Sequence, residues 1–432
     1  MARTEERGSE ILVVSYYFPP ITGAPAWRPF SWARFFNEND VKTTILTRHW
    51  TGKENTWEEH IADSNSEETF EENETYNIYR LPSKKYKSYY YINRLNISIL
   101  RKIYFAILQI FGFFNTEVNA YLTFKKKLIQ LIRDDKFDTV IFTGPPPNIY
   151  RLVNIVRRYS HAKVILDFRD LSNNALLAKA EILSAKWKVK NTFFDLYETR
   201  WMNKADLVTT VAPAFQSYLQ KITRTKVEVV YNGYDNDYFD QIEKNQPQKF
   251  TIAIVGAIYP LQNYKLILEG LHNFLAKNID TDIQVNGIGI LMIDEVGQDF
   301  KLRLNDERVY LSARVSKQEA VRYVKNAHCL LFTAWDDRPG MIPAKIYDYL
   351  ASETLIINCP GDNDFVDWIL SESGAGITLN EQAELEKYLY KIYLNWKHNQ
   401  PLVMERKNEV ITQFSRKNQA KLMVDFIRKL YL

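Results

Sequence analysis

Short apolar runs alternate with helix-period segments along almost the whole chain, in two series separated by a polar, turn-rich stretch at residues 232–249 (NGYDNDYFDQIEKNQPQK). That alternation is the mark of βαβ units, in which each strand is followed by a crossover helix and the sheet is parallel. In the first series the expected strands are 11–15, 43–47, 139–143, 163–167, 206–211 and 227–231, with a helix at 29–37 and a long helical region ending near 204. In the second they are 250–255, 282–285, 309–312, 329–333 and 354–358, with helices at 317–326 and 343–352. Helical patterns at 381–396 and 415–430 close the chain. A length of 432 residues suits two cores better than one. The expected fold is therefore α/β, two Rossmann-like domains with parallel sheets: residues 1–240, then 249–410, with 411–432 returning to the first domain. Residues 50–80, acidic and polar, read as a long mobile excursion.

Charge and cysteine usage narrow the function classes. The 56 basic and 52 acidic residues nearly cancel, to +4, which argues against a nucleic-acid partner. Cys329 and Cys359 lie in apolar runs, as inert buried thiols do, and a reducing, cytoplasmic compartment fits them. The first apolar run, 11–17, reads as a strand and is too short for a signal core. The longest, 103–114, falls short of the roughly twenty residues a spanning helix needs. Residues 84–127 are basic and aromatic, with Lys84, Lys85, Lys87, Arg94, Arg101 and Lys102, and end in Lys125, Lys126 and Lys127. This tract suits an amphipathic element on an anionic membrane surface, on the inner face of the cell membrane; the other reading is a lid with solvated charges.

Three segments carry candidate chemistry. The most informative is DDRPGMIPAKIYDYL, residues 336–350, where a strand end, a turn at Gly340 and a helix start near Pro343 follow one another. Proline suits a first helical position, and the amides after it, with the Lys345 charge, would hold phosphate. Asp348, three residues on, can accept two hydrogen bonds from a ribose diol; a surface Lys–Asp pair is the other reading. The second segment, 15–28, has Gly23 for close ligand approach and Arg28 either for an anion or as a surface charge. It lacks G-x-G-x-x-G, which weighs against an NAD site. The third is Asp167-Phe168-Arg169-Asp170, directly after a buried-type strand: either acid could orient a hydroxyl, or the group could hold its own loop. The six histidines are scattered, with no ligand spacing, so no metal and no cofactor are expected.

Together these segments resemble the retaining glycosyltransferases of family 4, of the bacterial polysaccharide-building subset. The resemblance rests on ILVVSYYFPPITGAPAWRPFSWARFF, VIFTGPPPNIYRLV, VILDFRDL, YETRWMNKADLVTTVAP (with Glu198 and Asp206), VVYNGYD and RPGMIPAKIYDYLAS, in that order. It implies a GT-B fold, two facing domains with a cleft, and transfer from a nucleotide diphosphate sugar to a glycan or lipid-linked hydroxyl with retained configuration. The expected catalytic residues are Lys345 and Asp170. The expected donor-binding residues are Gly23, Gly256, Arg314, Gly340, Met341, Ile342, Pro343, Lys345 and Asp348; Arg28, Asp167 and Arg169 fall on the acceptor side. Two departures matter. Gly340 stands where the family carries the first of two acids, so backbone amides at Gly340–Ile342 would read the sugar. The loop VGAIYPLQNYK lacks the family's arginine and offers only Lys265, which throws weight on Lys345. These departures keep a non-catalytic nucleotide-sugar binding subunit and a sugar-nucleotide epimerase as the alternatives.

Overall fold

The computed structural model describes residues 9–21, 23–52, 67–82, 98–110, 118–134, 136–171, 185–335, 338–401 and 404–432. The chain forms two compact units, one of Met1–Tyr231 with Ala420–Leu432 and one of Asn232–Gln419.

The first unit is built on an eight-stranded sheet ordered β3-β4-β2-β1-β5-β6-β7-β8. Its strands are β1 Ser9–Ser15, β2 Val41–Arg48, β3 Thr69–Glu72, β4 Tyr76–Leu81, β5 Thr139–Thr143, β6 Lys163–Phe168, β7 Leu207–Thr210 and β8 Val227–Val229. All pairs are parallel except β3 with β4. The central strands are apolar on both faces, Ile11 to Val14 and Val140 to Phe142 being fully buried, because helices cover both sides. Helix α1, Ala24–Phe35, follows β1; α2 is Ser98–Ile110, α3 Val118–Ile132 and α4 Ala185–Met202.

The second unit has six strands ordered β11-β10-β9-β12-β13-β14, all parallel. They are β9 Phe250–Val255, β10 Ile283–Ile288, β11 Val309–Leu311, β12 Cys329–Phe332, β13 Leu355–Asn358 and β14 Gly376–Thr378. Helices α5 Lys265–Lys277, α6 Lys317–Lys325, α7 Lys345–Ala351, α8 Phe365–Ser373 and α9 Gln382–Lys397 cross between and after them. The final helix, α10 at Arg416–Lys429, sends Ala420, Met423, Val424 and Ile427 into the core of the first unit with Ile11, Val13, Trp32 and Phe36.

Both sheets follow the doubly wound order. In each, the chain starts in the middle (β1 or β9), builds outward on one side, then jumps back to the other side (β5 or β12). Beside the starting strand the two connections leave in opposite directions, and the gap at the carboxyl ends is where such sheets bind ligands. Each expected strand of the parallel α/β units is therefore present, with β3, β4 and β14 added.

One expectation fails. Part of the polar stretch 50–80 is regular structure: β3 and β4 form an antiparallel edge pair, Phe70 opposite Tyr79 and Glu71 opposite Ile78. No alternation marks the pair in the sequence: β3 is exposed throughout, and in β4 only Ile78 and Leu81, three residues apart, are buried. Charged side chains on an outer strand discourage pairing with another chain. Residues 53–66 of the same stretch lie outside the described residues, as do 84–97 of the basic tract.

Candidate functional site

In the second unit the switch point lies between β9 and β12, and Gly256 follows β9 directly. Gly256 has φ +99, and its amide donates to Ile288 O at 2.8 Å. A side chain here would meet the stem of Lys345, whose Cδ lies 3.3 Å from the position of an added Cβ. Lys345 opens α7, lies across this glycine, and ends with Nζ 3.4 Å from Ala257 O and 5.3 Å from the centre of the Phe332 ring. Part of the residue reaches the surface, but its ammonium is desolvated, and among the described residues no carboxylate pairs with it. Burial pulls its pKa from 10.5 to about 8.

Buried polar side chains fix this geometry. The Tyr349 hydroxyl, one turn after Lys345, accepts from Val255 N at 2.7 Å and lies 3.1 Å from Val255 O, tying α7 to the end of β9. Gln262 accepts from Tyr259 N at 3.0 Å and donates to Thr333 O at 2.8 Å, bracing the loop after β9 against the end of β12. Thr333 itself is fully buried, and its Oγ1 has no hydrogen-bond partner. At the rim Tyr259 stacks on Trp335, and Arg338 lies 4.7 Å over the Trp335 ring.

Several sequence expectations change here. Pro343 does not open the helix. Ala344 is the N-cap, and Ile346 N donates back to Pro343 O at 3.0 Å, so a tight turn precedes the α-helix. That spends the Ile346 amide; those of Ala344 and Lys345 have no hydrogen-bond partner among the described residues. The amides of Gly340, Met341 and Ile342 are also committed, to Asp364 Oδ2, Arg338 O and Gly340 O. They shape the turn, with Gly340 at φ +80. Asp348 is not paired with Lys345: it takes Lys317 Nζ from α6 at 2.5 Å, both side chains remaining partly exposed. Arg314, after β11, and Lys265, at the start of α5, are exposed. Gln262, Lys317 and Tyr349 did not stand out in the sequence. Only the position of Tyr349, one turn after Lys345, carried a signal.

In the first unit the expected acceptor-side residues come together, in unequal roles. Arg28 and Asp167 form a bidentate pair at 2.9 and 2.7 Å, with side chains 3% and 0% exposed. Arg28 Nη1 also donates to Val230 O and Tyr231 O, at 2.8 and 2.9 Å. Asp167 accepts from Thr143 Oγ1 and Thr209 Oγ1, each at 2.8 Å. One ion pair thus joins α1, β5, β6, β7 and the segment after β8. Arg28 is then neither a surface charge nor a hand for an anion, and the Asp167 carboxylate is fully engaged. Arg169 is buried and reaches Pro25 O at 2.6 Å, in the first turn of α1. Asp170 is exposed at the mouth of β6. Gly23 precedes α1 with φ 149 and belongs to this unit, apart from the other expected donor residues of the second. Asp206 supports structure, accepting from Val164 N and Arg157. Glu198 is buried on α4.

Residues 30–238 match the sequence model of the family described as Glycosyltransferase Family 4. No curated protein matches the chain in sequence. Among solved structures, the chain is similar to sucrose-phosphate synthase from Thermosynechococcus elongatus, at TM-score 0.62 and 12% identity over 98% of this chain and 99% of that one. It is also similar to a UDP-forming α,α-trehalose-phosphate synthase from Burkholderia xenovorans in complex with glucose-6-phosphate, at TM-score 0.63 and 11% identity over 98% and 100%. A glycosyltransferase from Rickettsia africae matches at TM-score 0.62 and 14% identity, over 98% of each chain. The fold is GT-B.

Two predictions follow from the buried charges. Asp167→Ala strands Arg28 and should cost about 3–5 kcal/mol in urea unfolding, while Arg28→Met with Asp167→Leu should cost less than either single change. Native Lys345 binds its proton less tightly than the unfolded chain does, so the unfolded state holds more protons between about pH 8 and 10.5. Melting temperature should therefore rise with pH through that window relative to Lys345→Met; a constant difference would mean that the ammonium is solvated.

Proposed function

We propose that this chain, a GT-B protein with a glycosyltransferase family 4 sequence over residues 30–238, transfers a sugar from a nucleotide diphosphate sugar to a hydroxyl of a glycan or lipid-linked acceptor. The observation that carries this reading is the desolvated Lys345 ammonium lying on Gly256 at the switch point of the second unit. A cation that no carboxylate among the described residues pairs with is available for diphosphate, and the amides of Ala344 and Lys345, without a partner among those residues, lie beside it. As the bond from the anomeric carbon to the diphosphate oxygen breaks, charge grows on the leaving oxygen. A fixed cation in a desolvated place stabilises that charge without reorganising water. Asp348, accessible beside Lys317, would exchange that contact for the ribose hydroxyls. Gly256 allows the diphosphate to approach the main chain, and Arg314 adds a cation at the rim. On the acceptor side, Asp170 would orient the attacking hydroxyl. We assign transfer with retention, without metal or cofactor, the charge on the leaving group being met by Lys345.

We also assign the protein to the inner, cytoplasmic face of an anionic membrane. No helix among the described residues is long and apolar enough to cross a membrane. Helix α2 instead leaves Ile99, Leu100, Ile103 and Ile107 exposed, with Lys102 among them. Apolar side chains entering the headgroup region beside basic ones suit a surface of negative lipids, each basic group contributing on the order of 1 kcal/mol.

Lys345→Ala should slow turnover by about 30- to 1000-fold, the loss of roughly 2–4 kcal/mol of leaving-group stabilisation, in excess EDTA as well as without it. Asp348→Ala should weaken donor and free nucleotide binding alike in calorimetry. If both variants bind and transfer like the parent, the donor site lies elsewhere, and if EDTA stops turnover until Mg²⁺ returns, a metal meets the leaving charge. Replacing Ile103 and Ile107 by Asp should abolish co-sedimentation with phosphatidylserine-containing vesicles and leave turnover on a water-soluble acceptor unchanged. Unchanged sedimentation would make α2 a lid.

A further inference from the structure

Asp364 stands at the N-cap of α8, where an aspartate ordinarily takes an amide of its own helix. Here it takes none of them. The Asp362 carboxylate, two residues earlier, accepts from the amides of Asp364, Val366 and Asp367, at 3.1 Å each, and so closes that helix start. Asp364 is thereby free to reach another loop, and its Oδ2 accepts from Gly340 N at 2.7 Å. The loop that carries Asp364 is itself firmly held. Asp367 accepts from Asn358 Nδ2 at 3.0 Å, from Thr378 Oγ1 at 2.6 Å and from Asn363 N at 2.8 Å, which ties the loop after β13 to the ends of β13 and β14. Asp362 and Asp367 thus serve their own loop, and Asp364 serves the turn at Gly340.

That turn is the one that delivers Lys345. Met341 N donates to Arg338 O at 3.1 Å and Ile342 N to Gly340 O at 3.0 Å, and Pro343 O then accepts from Ile346 N as α7 begins. Gly340, at φ +80, has no side chain with which to anchor the turn. Behind Lys345 the helix is tied to β9 through Tyr349 and Val255 N. Ahead of it, the Asp364 carboxylate ties the turn to the loop after β13. A hydrogen bond from an amide to a carboxylate is stronger than one to a neutral carbonyl, which suits a tie that must hold a glycine turn. The Lys345 ammonium meets Ala257 O at 3.4 Å and no carboxylate among the described residues, so where α7 starts sets where this charge sits. Placement matters at such a group, since a shift of about 1 Å can cost about a hundredfold in rate.

We propose that Asp364 is a positioning residue of the second unit: through the Gly340 amide it sets where α7 starts, and so places the Lys345 ammonium and the amides of Ala344 and Lys345 for the diphosphate. This rests on the donor reading above. Asp364 acts through the turn and needs no contact with the ligand. Its acceptor oxygen and its side-chain length are what the role requires. Asparagine keeps both, whereas serine keeps a residue suited to the N-cap of α8 but is too short to reach Gly340.

The full chain is compared with its Asp364→Ser, Asp364→Asn and Lys345→Ala variants and with the Lys345→Ala, Asp364→Ser double variant. Amide exchange is measured without ligand, and UDP, GDP and ADP are titrated by calorimetry. Asp364→Ser should speed exchange at residues 340–342 and 346–347, leave 250–255 and 355–358 unchanged, and weaken binding of the preferred nucleotide about tenfold. Asp364→Asn should recover both the slow exchange and the affinity. In the Lys345→Ala background Asp364→Ser should cost far less affinity than in the parent, because the cation it places is gone. The proposal is overturned if Asp364→Ser exchanges and binds like the parent, if Asp364→Asn behaves like Asp364→Ser, or if the Asp364→Ser loss is the same with and without Lys345. Faster exchange throughout β9 and β13, or an Asp364→Ser chain that does not fold, would make Asp364 a support of the fold and overturn it too. If none of the three nucleotides binds the parent, the donor reading falls, and exchange at 340–342 and 346–347 still decides whether Asp364 holds the start of α7.

Discussion

Parallel pairing is the constraint on which the rest of the structure depends. A parallel strand cannot be reached by a tight turn, so every parallel pair of successive strands needs a crossover, and those crossovers begin on the same edge of the sheet. In both units that edge collects the chemistry: Gly23, Arg169 and Asp170 in the first, Gly256, Thr333 and Lys345 in the second. The strand order then opens a gap on that edge beside β1 and beside β9. The polar residues gathered there follow from winding the chain outward from the centre twice.

The two units treat the charges at that edge differently. In the first, a buried arginine and aspartate neutralise one another and knit five segments, and a second arginine, Arg169, holds the first turn of α1 through Pro25 O. In the second, no buried ion pair is used at the edge among the described residues. A tyrosine hydroxyl and a glutamine amide brace the loops, and Lys345 is held as a lone desolvated cation. A buried ion pair adds rigidity but cannot answer a ligand, whereas a lone buried cation costs stability and gains it back when an anion arrives. That contrast separates the Arg28–Asp167 scaffold of the first unit from the Lys345 position of the second.

Much of the fold was legible because apolar period and strand length carry it. The run FTIAIV at 250–255 became β9 residue for residue, and the other strands moved by no more than a few residues at their ends. Strands β3 and β4 were not legible, because β3 is exposed throughout and the two buried side chains of β4, Ile78 and Leu81, are three residues apart and give no strand period. The site was legible only in part. Proximity along the chain placed Lys345 beside a turn and a helix start. Who pairs with whom depends on contacts far apart in sequence: Arg28 with Asp167, Asp348 with Lys317, Gln262 with Thr333. Helix spacing suggested Lys345 with Asp348, and tertiary packing brought α6 in to take the acid. Likewise the turn before α7 tightened by one hydrogen bond, which moved Pro343 out of the helix and removed one amide from use.

On the proposed function, the second unit holds a nucleoside diphosphate at the carboxyl ends of β9 and β12, against Lys345. Amide hydrogen exchange of the full chain, with and without saturating UDP, GDP or ADP, tests it most directly. One of the three should slow exchange at residues 256–258 and 344–346, whose amides lie at Gly256 and at the start of α7, and Lys345→Ala should lose this slowing. Slowed exchange confined to other segments, or unchanged exchange at 344–346 with a nucleotide demonstrably bound, would contradict it.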